Sequence, residues 1–295
     1  MATSVVGRSH TTSAMMIDVG ALRLHVLDTG GTAPPVLLLH GLSANADAFG
    51  GIIAAGDPNT VRMIAPDLRG RARSDKPARG YDLADHARDV IGLLDALGLE
   101  RVVLGGHSFG GYLAIYIAAH FPERVTKLLV IDAAISSHPR IGVLLKPSLD
   151  RLTHIAPSAD AYLAEIRAAP YLGGMWDALI EAYYRAELTV NNDGTAQSAT
   201  SSSAIVQASL GVATEPLLHL VQQVQQPTLL LNAIGGFGPP GTPPLFDEVV
   251  SRATAKAFPD GRYATIPGNH ITLLFNGGAA MVRTHIDRFV GESHA

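Results

Sequence analysis

A serine between glycines is the feature of the sequence that points most directly to chemistry. Residues 106–110 read GHSFG, and they lie between an apolar run at 102–104 and a helical pattern at 112–119. In a strand–turn–helix context, a G-x-S-x-G segment places its serine on a sharp turn that exposes the hydroxyl. The N-terminus of the following helix also favours negative charge, because its backbone N–H groups are unpaired. The segment therefore predicts Ser108 as a nucleophile.

A second short segment, residues 40–42 (HGL), directly follows the apolar run at 36–39. A loop at the end of a strand can aim the Leu42 backbone N–H at a carbonyl oxygen, and the Phe109 N–H would supply a second donor. Two such donors form an oxyanion hole, and each is worth about 3 kcal/mol of the barrier. We expect His40 itself to be structural.

A histidine near the end of the chain could serve as the base for this serine. Residues 266–270 read IPGNH and follow a strand-like run at 262–266. Imidazole can remove the proton of a serine hydroxyl and then return a proton to the leaving group. Of the 12 histidines, His270 is the one that sits in a tight turn after a late strand. We therefore predict His270 as the general base and acid.

These residues need a scaffold, and the pattern of apolar runs indicates one. An alternating run at 22–27 is followed by short continuous apolar runs at 36–39, 102–104, 128–131 and 228–231. Continuous runs suit the central strands of a parallel sheet that is covered on both faces. Between them, positions 83–97 carry their apolar residues on one helical face. The alternation predicts an α/β fold, with a mostly parallel sheet flanked by helices.

The alternation stops between residues 133 and 215, where helical patterns at 159–168 and 175–188 occur without a convincing strand. This segment begins directly after a strand end, which is where the ligand crevice of an open α/β sheet lies. It predicts a helical cap inserted after the strand that ends near Asp132. Trp176, the single tryptophan, lies in this cap, and we expect it to bind substrate together with neighbouring apolar and tyrosine side chains.

Taken together, these motifs resemble the α/β-hydrolase superfamily over nearly the whole length, from Leu22 to Val290. The resemblance rests on the His-Gly pair at 40–41, on DLRGRARS at 67–74, on the serine turn and on GNH at 268–270. The order of serine first and histidine last is also that of these enzymes. Ala72 stands where the family usually has glycine. Within the superfamily the chain looks like capped carboxylesterases and lactonases, which use no cofactor or metal, whereas haloalkane dehalogenases and epoxide hydrolases carry aspartate in place of the serine.

The acid that completes the family's triad is missing from its usual place. It usually follows the strand at 228–231, but no Asp or Glu occurs between Pro216 and Phe246. In some relatives the acid comes from the end of the strand after the nucleophile's helix, which here is Asp132. We therefore assign Asp132 as the residue that orients His270. Asp247 or Glu248, and a Ser-His dyad without an acid, are the alternatives.

Composition limits the remaining possibilities. The strand–helix alternation predicts a core made of residues 16–132 and 216–295 and a cap at 133–215, and the polar start of the chain predicts a disordered segment at 1–15. A net charge of −4 and the absence of cysteine argue against a polyanionic partner, disulfides and thiolate metal sites. Since the sequence shows no signal-like segment and no apolar run of membrane length, we expect a cytoplasmic protein with no membrane partner. We also expect a monomer or homodimer. The four basic residues in 69–76 are expected to lie in a solvated loop with internal hydrogen bonds, rather than in a patch for an anionic substrate.

The motifs and the resemblance predict a serine hydrolase that cleaves a carboxylic ester or lactone of moderate size and mostly apolar character. Three other functions remain open. A hydrolase of C–C bonds or a perhydrolase would use the same triad, and a ligand receptor with slow hydrolysis would share the fold.

Overall fold

The structure is a computed structural model that describes residues 12–292. Its strands are β1 (Ser13–Asp18), β2 (Arg23–Asp28), β3 (Pro35–Leu39), β4 (Arg62–Pro66), β5 (Val102–His107), β6 (Val125–Ile131), β7 (Ile155–Ala156), β8 (Leu188–Val190), β9 (Ala196–Ser198), β10 (Thr228–Ala233) and β11 (Gly261–Ile266). Its α-helices are α1 (Gly50–Ala54), α2 (Leu83–Ala96), α3 (Phe109–His120), α4 (Ile141–Asp150), α5 (Ala159–Arg167), α6 (Ala178–Ala186), α7 (Ser202–Thr214), α8 (Leu217–Gln223), α9 (Glu248–Ala257) and α10 (Asn276–Gly291).

Eight strands form the main sheet, in the order β1-β2-β4-β3-β5-β6-β10-β11. Strand β2 pairs antiparallel with both of its neighbours, and every other pairing in this sheet is parallel. Every residue of β5 and β10 is buried, because helices cover both faces of the sheet with two apolar layers. The predicted α/β fold with a mostly parallel sheet is confirmed.

The parallel strands bring their carboxyl ends to one edge of the sheet. Residues 40–42 follow β3, Ser108 follows β5, Asp132 follows β6 and His270 follows β11 by a short turn. Backbone hydrogen bonds continue past the strand ends, from Ser108 N–H to Ile131 O (2.9 Å) and from Asp132 N–H to Leu231 O (2.7 Å). The topology therefore collects the residues that the sequence singled out.

An insertion between β6 and α8 contains α4 to α7 and a small antiparallel sheet of order β7-β9-β8. The helical cap expected after Asp132 lies here. The sequence pattern did not predict the small sheet, because its strands have only 2 or 3 residues and show no readable alternation.

The prediction that residues 1–15 are disordered is wrong for Ser13 to Met15, which belong to β1. This strand is held by backbone pairing with β2 along its whole length. Most of its side chains are exposed, so hydrophobicity gave no sign of it. Residues 1–11 of that prediction lie outside the described residues.

Among residues 12–292, no single helix is long and apolar enough to cross a bilayer. Helices α7 and α8 meet the length and composition criteria only as a pair, and a bend of 70° separates them.

Candidate active site

Ser108 occupies a strained turn between β5 and α3. Its backbone has φ 54° and ψ −118°, outside the regions that L-residues usually adopt. The flanking glycines make this turn possible. A Cβ on Gly106 would lie 1.9 Å from Gly110 O, and a Cβ on Gly110 would lie 2.0 Å from Leu39 O. Backbone strain at one polar residue, supported by two obligatory glycines, is typical of a functional site.

His270 and Asp132 form a buried pair beside this turn. Nδ1 of His270 lies 2.6 Å from Oδ2 of Asp132, and the two residues are 5% and 1% exposed. Because a carboxylate accepts hydrogen bonds, Nδ1 carries the proton and Nε2 keeps a lone pair. This is the tautomer that a general base needs in order to remove a hydroxyl proton.

The second oxygen of Asp132 is also fully engaged. Its Oδ1 accepts hydrogen bonds from the Ala233 N–H at 2.8 Å and from Nδ2 of Asn232 at 3.0 Å. The Asn232 Oδ1 in turn accepts from the Tyr263 hydroxyl at 2.8 Å. Four side chains, from His270 to Tyr263, thus form one chain of hydrogen bonds. Asn232 lies near the end of the strand that carries the acid in most relatives, so its position could have drawn attention to it.

The alternative acids lie elsewhere. Asp247 caps the N-terminus of α9 and accepts from the Val249 N–H at 2.7 Å. Glu248 is exposed and pairs with Arg252 at 2.6 Å. The structure therefore brings Asp132, and neither Asp247 nor Glu248, to His270.

His107 is a further site residue that sequence reasoning missed. Its Nε2–H donates to His270 O at 2.8 Å, and the two rings lie 4.5 Å apart. Burial, followed by the neighbouring His270, lowers the pKa of His107 well below its usual value. A neutral His107 therefore holds the backbone of His270 against the turn that carries Ser108.

The predicted oxyanion loop is held in place by His40. Its Nδ1–H donates to Gly41 O at 2.8 Å, and its Nε2 accepts from the Leu68 N–H at 2.9 Å. Burial lowers the pKa of His40 to about 4, so the ring is neutral. Within the described chain, the N–H groups of Leu42 and Phe109 donate to no other protein group. Both residues line a cavity with Ser108, which leaves these donors free for a ligand oxygen.

Two cavities meet at Ser108. The larger one has a volume of about 830 Å³ and extends between α4, α7 and α8. The smaller one, of about 50 Å³, is lined by His270 and Ile271 and by the cap residues Arg151, Tyr183 and Tyr184. Ser108 and Leu42 line both. A substrate bound at Ser108 thus has one spacious and one confined side.

Within residues 12–292, Ser108 and His270 make no direct hydrogen bond to each other, although both line the smaller cavity. Catalytic hydrogen bonds of this kind often tighten only when substrate is bound.

The prediction that Trp176 binds substrate is not supported by its position. Its ring stacks on Tyr184 with a centroid distance of 6.1 Å, and Trp176 lies outside the lining of both cavities at Ser108. The tyrosine pair, Tyr183 and Tyr184, is buried on α6 and forms the wall instead. Trp176 precedes the N-cap of α6, so the periodicity of that helix could not assign it to a face.

The basic loop at 69–76 is only partly solvated: Arg73 and Lys76 are exposed as expected, whereas Arg69 and Arg71 are buried, which corrects the expectation for these two. Arg69 is 8% and Arg71 0% exposed, because Tyr81 and Ala204 of α7 close over Gly70. The expected internal hydrogen bonds are present. Arg73, for example, pairs with Asp67 at 2.9 Å.

No group of three or more His, Cys, Asp or Glu residues that could hold a metal ion occurs in the described part of the chain.

A family model for the α/β-hydrolase fold matches residues 34–277. The chain belongs to this family. Among characterised relatives, a 2-(acetamidomethylene)succinate hydrolase of Mesorhizobium japonicum is 28% identical over 265 residues, which are 85% of this chain and 86% of that protein. A crystal structure of E-2-(acetamidomethylene)succinate hydrolase covers 96% of this chain and 100% of its own, with a TM-score of 0.83 and 22% identity.

Other matches are shorter. An uncharacterized protein of Mycobacterium tuberculosis is 39% identical over 103 residues, and the match spans 35% of this chain and 30% of that protein. A 2-hydroxymuconate semialdehyde hydrolase of Pseudomonas putida is 39% identical over 147 residues, 45% of this chain and 52% of that protein.

Proposed function

We propose that this protein is a serine hydrolase that cleaves a carboxylic ester or lactone through an acyl-enzyme on Ser108. The observation that carries the proposal is the buried hydrogen bond from His270 to Asp132, at the edge where Ser108 sits on a strained turn. A histidine held in this tautomer beside an activated serine is the arrangement that acyl transfer requires.

In the proposed mechanism, His270 Nε2 takes the Ser108 proton while Oγ attacks the substrate carbonyl carbon. The N–H groups of Leu42 and Phe109 hold the oxygen, which becomes negative as the C=O double bond opens. When the tetrahedral intermediate collapses, the bond to the alcohol oxygen breaks and the protonated His270 gives that oxygen its proton. Water, deprotonated by His270, then attacks the acyl-enzyme and releases the acid and free Ser108.

The cavities suggest the shape of the substrate. The larger cavity can hold a long chain or an aromatic ring, and the smaller one has room for a methyl-sized group. We infer that substrates with one large and one small group, such as p-nitrophenyl acetate or methyl octanoate, are preferred. p-Nitrophenyl octanoate, with two large groups, should have a kcat/KM at least about tenfold lower, because its second group must displace packed tyrosines.

The charges around the cavities favour a neutral substrate. The larger cavity is lined by Glu215 and by no Lys or Arg of the described residues. Arg151 in the smaller cavity is already paired with Glu187 at 2.9 Å. A substrate carboxylate would therefore be desolvated without a free cation to pair with, which is costly. The proposed neutral substrate therefore differs in charge from a succinate, a dicarboxylate, for which one relative is named.

Replacing the nucleophile tests the function. Ser108→Ala should abolish nearly all turnover of p-nitrophenyl acetate without changing the fold. Ser209→Ala is the matched control, since Ser209 lines the same cavity but lies on α7, away from the turn that carries Ser108. Turnover that survives in Ser108→Ala would overturn the serine mechanism.

A pair of matched esters tests the substrate charge. Methyl octanoate and the monomethyl ester of octanedioic acid differ by a terminal carboxylate, and acid release reports turnover of both. We expect kcat/KM to be at least about tenfold lower for the charged ester. Glu215→Gln should narrow this difference, and equal rates in the wild-type protein would contradict the inference.

C–C bond hydrolysis is the second candidate, because one relative carries the name of a 2-hydroxymuconate semialdehyde hydrolase. It would use the same serine and histidine. Loss of ultraviolet absorbance from β-diketone-like substrates, without turnover of the two preferred esters, would favour it. A cofactor-free reaction, a cytoplasmic location and a monomeric or dimeric state remain predictions from the sequence.

A further inference from the structure

A buried guanidinium without a carboxylate partner lies behind the predicted oxyanion hole. The side chain of Arg71 is fully buried, with 0% exposure. A buried cation is costly unless it is paired, and the buried arginines Arg69 and Arg151 each pair with a carboxylate. Arg71 forms no ion pair with any described residue. A charge kept at such a cost indicates a role besides packing.

The partners of Arg71 are all neutral. Its Nη1 donates to Arg69 O at 2.7 Å and to Nε2 of His86 at 2.9 Å. His86 donates its Nδ1–H to Asp82 O at 2.8 Å, so its Nε2 is an acceptor. Burial, followed by the charge of Arg71, lowers the pKa of His86 well below its usual value and keeps it neutral. The Nη2 of Arg71 has no hydrogen-bond acceptor in the described chain.

Arg71 contacts both residues whose N–H groups form the predicted oxyanion hole. Its Nε–H donates to Leu42 O at 3.0 Å. Its guanidinium also lies over the Phe109 ring, 5.3 Å from the centroid, with the Tyr81 ring at 5.9 Å. Arg71 is not among the residues that line the cavity with Leu42 and Phe109, so its positive charge reaches both residues from outside that cavity.

The loop itself is fixed by three basic side chains on three successive carbonyls. His40 donates to Gly41 O at 2.8 Å, Arg71 to Leu42 O at 3.0 Å and Arg151 to Ser43 O at 2.6 Å. The loop is thus held by its carbonyl oxygens, while the N–H of Leu42 donates to no group of the described chain and remains available to a ligand. Arg151 is neutralised by Glu187, so of the two arginines on this loop only Arg71 adds net charge.

We propose that Arg71 is a positioning residue that fixes the oxyanion loop and supplies a net positive charge behind the oxyanion hole. This inference rests on the proposed function. The ground-state carbonyl is a neutral dipole, whereas the tetrahedral intermediate carries a full negative charge on its oxygen. A fixed positive charge in a buried site therefore stabilises the transition state more than the bound substrate. Although burial lowers the pKa of Arg71 to about 9, this is still above neutral pH, and the guanidinium is charged during turnover.

The test separates kcat from KM in two variants. Arg71→Met keeps most of the side-chain volume without charge or donors, and we expect kcat on p-nitrophenyl acetate to fall about 100-fold with KM nearly unchanged, as for loss of one oxyanion contact. Arg71→Lys keeps the charge but loses the fork, and its kcat should fall by about threefold to tenfold. Arg69→Met is the control. It removes a buried arginine of the same loop that pairs with Asp89, so it should lower the melting temperature and leave kcat within about threefold.

A transition-state analogue supplies a readout that a purely structural role would not change. An alkyl boronic acid forms a tetrahedral anion on the active-site serine. Its affinity should fall in Arg71→Met by the same factor as kcat/KM, and should partly recover in Arg71→Lys. Folding of each variant is checked by circular dichroism, and kinetics are measured well below the melting temperature.

Three outcomes would overturn the proposal. These are an unchanged kcat in Arg71→Met, a loss confined to KM, and a loss of kcat without weaker boronate binding. If Arg71→Met does not fold, Arg71→Lys decides, and an unchanged kcat in that variant contradicts the positioning role. Failure of the proposed function looks different, because the wild-type protein would then show no Ser108-dependent ester turnover at all.

Discussion

Replacing Asp132 by asparagine should reverse the hydrogen bond on which the proposed base depends. In the wild-type protein, Oδ1 of Asp132 accepts from the Ala233 N–H and from Asn232 Nδ2, at 2.8 and 3.0 Å. In Asp132→Asn these two donors hold the amide oxygen at the Oδ1 position, since an amide nitrogen at that position would face two N–H donors without an acceptor. The new NH₂ group therefore points at Nδ1 of His270.

The consequence is the wrong tautomer of His270. Nδ1 must now accept a hydrogen bond, so the proton moves to Nε2, which can no longer take the Ser108 proton. Trypsin loses about 10⁴-fold in kcat when its triad aspartate is replaced by asparagine, for the same reason. We expect a loss of the same order, equal to about 5.5 kcal/mol of barrier, with KM little changed. The fold should survive, because the size of the side chain and the contacts at Oδ1 are kept.

Steady-state kinetics on p-nitrophenyl acetate measure this effect, and Asp247→Asn is the matched control. Asp247 is the alternative acid of the sequence, but it caps α9 and should be dispensable for turnover. A kcat within about tenfold of wild type in Asp132→Asn would refute the reasoning. So would a large loss in Asp247→Asn.

Three further changes have definite expected results. Asn232→Leu removes a donor to the triad carboxylate and should lower kcat about tenfold in the same assay. An unchanged kcat would contradict this. Val212→Trp narrows the larger cavity and should slow methyl octanoate at least about tenfold more than methyl acetate, so equal slowing would argue against the binding assignment. His40, His86 and His107 are buried with lowered pKa values. The unfolded chain binds protons on these histidines at a higher pH than the folded chain does. The free energy of unfolding is therefore greatest above about pH 6.5 and falls as the pH drops towards about 4. Denaturant titrations should show that protonation of His40 alone lowers it by about 2 kcal/mol at pH 5. Unchanged stability between pH 7 and pH 5 would contradict this.

The scaffold of the site could be predicted because its signals are local. Short apolar runs marked the central strands, and the glycines around Ser108 marked the strained turn, where a Cβ has no room. Ala72 illustrates the same logic. It adopts φ 36°, in the left-handed region that favours glycine, at the position where the family usually has glycine. The residue type departs from the family pattern, whereas the backbone conformation is still one that suits glycine.

What could not be predicted depends on contacts between distant segments. Asn232 and Tyr263 join the triad only because β10 lies between β6 and β11 in the sheet. The burial of Arg71 depends on Tyr81 and on Ala204 of α7, which close over its loop, whereas a run of basic residues by itself suggests exposure to solvent. The place of Trp176 outside the lining of both cavities could not be predicted, because composition does not say which side of the cap faces the cavity.

The most direct test of the central claim is covalent labelling of Ser108. A fluorophosphonate should add one phosphonyl group per chain of the wild-type protein, detected by intact mass and located on Ser108 by peptide mapping, with parallel loss of ester turnover. Ser108→Ala should remain unlabelled, and His270→Ala should react far more slowly. Stoichiometric labelling at another residue, or full ester turnover in protein whose Ser108 is labelled, would contradict the account.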